Sequence, residues 1–143
     1  MPVKSYTFHL ATDGFCDVCD VTPQARQALA ESGLECGLLT VAVPGSTAGI
    51  TTIEFEPGAV SDLKAAIARA APENIPYEHD KAWGDGNGFS HVRAALLGPS
   101  RSIPFTDGEL LLGTWQQIVL VDFDNGPRRR RFEIQVLGER PTD

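Results

Sequence analysis

Two histidines, three acids and three glycines crowd into one short stretch of this chain. It reads Tyr77-Glu78-His79-Asp80, then Trp83-Gly84-Asp85-Gly86-Asn87-Gly88-Phe89-Ser90-His91. Glycines at 84, 86 and 88 let the backbone turn sharply and present N–H groups to a ligand. A helix is expected directly afterwards, and helix starts carry free N–H groups and a positive dipole end. A glycine-rich loop feeding a helix start has the form of an anion site, phosphate above all. Gly86, Asn87, Gly88 and Ser90 are therefore candidate phosphate ligands. The spacing is neither GxGxxG nor GxxxxGK[ST], so a plain surface turn capped by Ser90 fits the same residues.

His91 falls in the first turn of that helix, where the dipole disfavours an imidazolium and favours a neutral ring. Such a ring shuttles protons or ligates metal. His79 and Asp85 stand in a loop able to fold onto it. Two imidazoles and a carboxylate suffice for a divalent cation, Zn²⁺ or Mg²⁺, with a position left open. His79 and His91 are thus candidate metal ligands, and His91 and Asp85 candidate catalytic groups.

Outside this stretch, Glu54 stands in Thr51-Thr52-Ile53-Glu54-Phe55, otherwise apolar or β-branched. It is either a rim charge or a general base or ligand. Arg128–Arg131 suggests nucleic acid, but successive strand residues alternate faces. The run splits into Arg128 with Arg130 and Arg129 with Arg131, and Asp122 and Asp124 on a facing arm offset part of the charge. Arg128 and Arg130 are the pair placed to reach a phosphate. His9, on an alternating strand, reads as a surface residue.

These groups must be positioned by a coarse order β-β-α-β-β-α-α-β-β-β. Lys4–Leu10 alternates as a strand, and Phe15–Val21 is expected to pair with it across a turn at Asp13-Gly14. Thr22, with Pro23 behind it, is expected to cap a helix that Gly33 stops. Gly37–Val43 reads as a central strand, Thr47–Phe55 as another, and Ala59–Ala71 as a helix. Asn74–Gly88 reads as one long irregular connection, and Ser90–Leu97 as a short helix. Strands follow over Ser102–Thr106, Glu109–Leu112 and Trp115–Asp124, and Asn125-Gly126 signals a hairpin returning through Arg128–Leu137. The expectation is one α+β domain over residues 1–143, mostly antiparallel sheet with two to three helices.

A length of 143 residues suits one domain, and a net charge of -7 argues against general nucleic-acid binding. Met1–Ala11 lacks the apolar core of a signal peptide, and no apolar run is long enough to cross a bilayer. Cys16, Cys19 and Cys36, an odd number, are expected to be reduced thiols in the cytoplasm. Cys16 and Cys19 match CxxC, but a strand there points them to opposite faces, so a structural role is expected.

The C-terminal half carries a specific resemblance. Ser90-His91-Val92-Arg93-Ala94-Ala95-Leu96-Leu97-Gly98-Pro99-Ser100, Ile103-Pro104-Phe105, Gly108 and Leu112-Gly113-Thr114-Trp115-Gln116-Gln117-Ile118 closely resemble the YjbQ-like family, also labelled a secondary thiamine-phosphate synthase. Tyr77-Glu78-His79-Asp80, Ser46-Thr47-Ala48-Gly49-Ile50-Thr51, Gly126-Pro127-Arg128-Arg129-Arg130 and Gly138-Glu139 extend the likeness over nearly the whole chain. The resemblance implies an α+β fold assembling as a homotrimer, with a polar pocket of histidines and an acid near a subunit boundary, able to hold a metal ion. It implies a condensation of a thiazole phosphate with a pyrimidine pyrophosphate. By position, His79, Asp85, His91 and Glu54 match the family's polar residues, and Trp115 and Gln116 lie in its Thr-Trp-Gln turn. Gly45 is a departure, because many members carry His there, and the missing imidazole would be a ligand or base.

Three functions follow as expectations. The first is a phosphate-handling transferase of the thiamine-phosphate synthase type. The second is a non-catalytic binder of a small phosphorylated metabolite, and the third a metal-dependent hydrolase built on His79, His91 and Asp85.

Overall fold

Alternating apolar and polar residues make strands that bury one face. The first, β1 (Val3–Thr12), turns Tyr6, Phe8 and Leu10 onto a core. The computed structural model describes residues 1–142. After β1 come β2 (Asp17–Asp20), α1 (Thr22–Ser32), β3 (Cys36–Ala42), β4 (Ala48–Ile53) and α2 (Pro57–Ala70). Then follow α3 (Glu78–Trp83), α4 (Gly88–Leu97), β5 (Ser100–Thr106), β6 (Glu109–Leu110), β7 (Gln117–Asp122) and β8 (Arg128–Glu139).

The strands form a five-stranded sheet, β1-β8-β3-β5-β6, and a three-stranded sheet, β2-β7-β4, with every neighbouring pair antiparallel. One apolar cluster draws on both sheets and on α1, with Leu39, Val41, Ile50, Ile118, Leu120, Phe132 and Ile134 fully buried. A second joins Val119, Val121 and Phe123 to Val60 and Ile67 of α2 and Ala94 and Leu97 of α4. β7 is therefore buried on both faces, which explains its unbroken apolar run Ile118–Val121. Each such side chain contributes about 1.5–3 kcal/mol by leaving water.

The α+β class and the antiparallel sheets match the sequence reading, and β3 is indeed the central strand of its sheet. Four details differ. Among the described residues there are four helices rather than two or three, because Glu78–Trp83 coils within the segment read as irregular. Asn125-Gly126 does not make a hairpin, since β7 and β8 belong to different sheets. Neither residue takes the positive φ that a two-residue turn needs. Asp13-Gly14 likewise carries the chain from one sheet to the other, with β1 pairing β8 and β2 pairing β7. Thr22 does not cap α1: Val21 holds the cap position, and the Thr22 hydroxyl accepts the Ile118 N–H at 2.8 Å. α2 is capped instead by Glu56, whose carboxylate accepts the Gly58 and Ala59 N–H groups at 2.7 Å each. Those bonds, Ala59's first, hold the Glu56 carboxyl below the ordinary range.

Among the described residues no helix is long and apolar enough to cross a membrane. Cys16 and Cys19 are half-buried and Cys36 is exposed, all three as free thiols. Burial first, then the Asp17 carboxylate, pushes the Cys19 thiol up to about 12, so it is no thiolate at neutral pH.

Candidate functional site

α3 and α4 are joined by Gly84-Asp85-Gly86-Asn87, and this short link folds α3 back onto the start of α4. The result brings the two imidazoles together. The His79 and His91 rings lie 4.3 Å apart, centroid to centroid, inclined by 40°. His79 Nδ1 sits 3.4 Å from Asp85 Oδ1 and 3.9 Å from Asp80 Oδ1. One ligand atom each from His79, Asp80 and Asp85 falls within 4.8 Å of the others. The link is held from outside by Asn125, whose amide donates to the Asp85 carbonyl at 2.8 Å. With its NH₂ turned to Asp85, the Asn87 side chain donates to both carboxylate oxygens at 3.0 and 3.2 Å.

The start of α4 is already occupied by an anion of the chain itself. Asp80 Oδ1 accepts the Gly88 N–H at 2.8 Å. Gly88 is packed so tightly that a Cβ there would lie 2.5 Å from the Tyr77 Cβ. Ser90 is fully buried and its hydroxyl has no partner among the described residues. Asn87 holds the cap position without a side-chain cap bond, and Gly86 is exposed at φ 69°. Of the residues read as phosphate ligands, Gly88 and Ser90 thus face the protein interior, while Gly86 and Asn87 remain at the surface.

Arg130 and Arg128 lie apart from that loop, in a buried network at the crossing from β7 to β8. Arg130 is 4% exposed. It donates to both Asp122 oxygens, at 2.6 and 2.9 Å, and to Thr47 Oγ1 at 2.5 Å. Thr12 donates to Asp122 Oδ2 at 2.6 Å, and Thr47 to Asp124 Oδ2 at 3.2 Å. Arg128 pairs with Asp124 from the outer side. Burial alone would raise both carboxyls, but these hydrogen bonds and the arginine charges hold Asp122 and Asp124 below the usual carboxylate range. The charge compensation read from the sequence is present, made across the crossing between sheets rather than along a hairpin. Arg129 and Arg131 are exposed on the opposite face.

His91 also faces this network's turn. A cleft of about 270 Å³ runs between α4 and the Gly45–Ser46 turn, with His91, Ala94, Ala95 and Pro99 on its walls. Glu54, Trp115 and Gln116 are not brought to it within one chain. They lie beyond the other end of β4, where Ile53 pairs with Gln117 while Ala48 pairs with Asp122 at the His91 end. Five residues of strand, about 17 Å, separate those ends. Glu54 and Trp115 line a separate, solvent-open hollow with Asp20, Phe55 and Glu56. The Gln116 side chain is engaged with the Gly113 N–H and Thr52 hydroxyl. Bringing Glu54 or Trp115 to His91 would take a second copy of the chain.

Sequence reasoning missed Asp80 as the cap of α4, Thr47 as the hinge of the arginine network, and the nearness of Gly45 to Arg130. Asp80 lies eight residues before the N–H it caps and Thr47 is 83 residues from Arg130, so neither relation leaves a local pattern.

Comparison with known proteins agrees with this fold. The family model described as UPF0047 protein YjbQ-like matches residues 6–139. A UPF0047 protein of Methanocaldococcus jannaschii is 34% identical over 136 residues, covering 94% of this chain and 95% of that one. UPF0047 protein YugU of Bacillus subtilis is 33% identical over 133 residues, covering 92% and 98%. Among solved structures, a hypothetical protein of Aeropyrum pernix K1 superposes with a TM-score of 0.88 at 35% identity, covering 95% and 99%. A protein of unknown function from Sulfolobus solfataricus P2 superposes with a TM-score of 0.87 at 30% identity, covering 96% and 100%.

Proposed function

The chain belongs to the UPF0047 YjbQ-like family, and from that premise we propose that it acts on a small phosphorylated metabolite through the His79–His91–Asp85 cluster. The observation that carries the reading is the imidazole pair, 4.3 Å apart with the Asp85 carboxylate 3.4 Å from His79. Asp85 stands beside His79 Nδ1 and neither lines the cleft, which leaves His91, on the cleft side, as the ring that meets substrate.

The finer reaction proposed is a condensation of the thiamine-phosphate synthase type. The thiazole ring nitrogen forms a C–N bond to the pyrimidine methylene carbon as that carbon's C–O bond breaks and pyrophosphate leaves with the electron pair. His91, when protonated, would supply a proton to the departing phosphate oxygen. The donor set that converges is the His79 imidazole with the Asp85 and Asp80 carboxylates, Asp80 retaining one oxygen beyond the one that caps α4, and it fits a divalent cation. His79, Asp85 and Asp80 would hold it beside His91, and it would supply electrostatic relief to phosphate oxygens. A metal-dependent hydrolase is the second reading, favoured by that same donor set.

The test is incubation of purified protein with the two thiamine precursors and Mg²⁺, with thiamine phosphate followed by chromatography, beside His91→Gln and Asp85→Asn. Product that vanishes in His91→Gln supports the condensation; no product, or product indifferent to the substitution, ends it. Elemental analysis of untagged protein checks the hydrolase, which an absent metal would remove.

A further inference from the structure

Resting on that reading of a phosphorylated substrate, we propose that the phosphate is held by the Gly45–Ser46–Thr47 turn and Arg130 Nη1, across the cleft from His91, and not by the start of α4. The start of α4 is the poorer place on electrostatic grounds. Its first N–H already serves the Asp80 carboxylate at 2.8 Å, and Asp85 stands on the same link. A phosphate there would displace one carboxylate and face another.

The Gly45 turn has the opposite character. The backbone N–H groups of Gly45, Ser46 and Thr47 make no hydrogen bond among the described residues. Gly45 takes φ 131°, a conformation that favours glycine, and Gly45 and Ser46 are exposed along the cleft that His91 lines. Behind them stands Arg130. Its Nε and Nη2 are committed to Asp122 and Thr47, whereas Nη1 donates to nothing among the described residues. Nη1 lies 3.2 Å from where a Cβ on Gly45 would be. Glycine therefore leaves open the space through which the one free edge of a nearly buried guanidinium meets the cleft.

The acids of the network do not compete for that edge, because their oxygens already accept bonds from Arg130, Thr12, Thr47, Arg128 and backbone N–H groups. Arg130 is largely neutralised by Asp122, so the site works through oriented donors more than through net charge, as backbone anion sites do. The ligand class is a phosphomonoester or the terminal phosphate of a diphosphate. Its organic part would lie against Ala94, Ala95 and Pro99, which puts the reacting end beside His91.

The experiment is an amide NMR titration of ¹⁵N-labelled protein with inorganic phosphate and then pyrophosphate, repeated on Ser46→Asp. Ser46 is exposed and its side chain bonds to nothing in the network, so the substitution adds a negative charge without removing a structural contact. Saturable shifts at the Gly45, Ser46 and Thr47 amides are expected, with affinity falling at least about tenfold in Ser46→Asp while the rest of the spectrum is kept. Shifts confined to Gly86–Phe89, or binding indifferent to Ser46→Asp, overturn the placement and leave the phosphorylated-substrate reading standing. No saturable shift with either probe overturns both.

Discussion

At the Ala48 end of the β4–β7 pair, Thr47, Asp122, Asp124 and Arg130 are buried and bonded to one another. At the Ile53 end, Glu54 and Phe55 stand exposed beside Trp115, itself 72% exposed. Both ends belong to one strand pair and both carry residues of the resemblance. They differ in what holds them. The first is a closed set of ion pairs and hydrogen bonds in which each acid has partners, so its donors are fixed before any ligand arrives. The second is a surface hollow whose carboxylates meet water. Motif residues adjacent in a family pattern can therefore be separated by the length of a strand, and the strand's direction decides which of them share a site.

The largest break in this comparison should come from Arg130→Met. Asp122 is fully buried, and removing its bidentate partner leaves an uncompensated charge. The expected loss is about 3–5 kcal/mol of unfolding free energy, read from urea denaturation. A loss below about 1 kcal/mol would mean the network is not what fixes this end.

Little of this contrast was legible beforehand. Elements with a long apolar pattern read well: β1 by alternation, β3 and β7 by continuous apolar runs, α2 by Val60, Leu63 and Ile67. α3 did not, because Glu-His-Asp-Lys-Ala-Trp is six residues long with no apolar stripe and no buried side chain. Asn125-Gly126 misled for a different reason. Its turn propensity is a local preference, whereas β7, apolar on both faces, and β8, alternating, are drawn into different sheets by burial. At the site, His79, Asp85 and His91 were readable together because a short link joins them. Glu54 was not separable from them, since nothing in Thr51–Phe55 says which end of the strand faces α4. The meeting of Gly45 with Arg130 depends on packing between two sheets and has no counterpart in spacing.

Acid probes the contrast through the carboxylates that the buried end holds in ion pairs. Asp122 and Asp124 have folded pKa values below their ordinary 3.8. Groups lowered on folding add stability that is fully present above 3.8 and is lost as pH falls below it and through the folded values. Unfolding free energy should therefore be flat from neutral pH down to about 5, then drop steeply below 4. Asp122→Asn should begin lower at neutral pH and show a shallower acid limb; an unchanged limb would remove Asp122 from the account.

Gly45→Ala probes the same end more gently. An Ala at φ 131° is strained whatever the space, and its Cβ would stand 3.2 Å from Arg130 Nη1. About 1–3 kcal/mol should be lost in thermal or urea unfolding. Because the methyl also narrows the way to Nη1, phosphate affinity should fall with stability; a variant that keeps both would show the turn relaxing without cost.

Trp115→Ala should have the smallest effect, and its argument runs through exposure. A ring that is 72% exposed covers little of its own chain, so truncation changes few contacts in the fold. Unfolding free energy should shift by no more than about 0.5 kcal/mol, and the phosphate titration at Ser46 should be unaltered, since about 17 Å of strand lies between. The informative variable is protein concentration. Anything that binds only the folded chain stabilises it by mass action, so a surface buried by a second copy reveals itself as stability that rises with concentration. If Trp115→Ala abolished such a rise, or weakened phosphate binding, the two ends would be joined through a neighbouring copy. Glu54 would then return as a candidate for the His91 cleft.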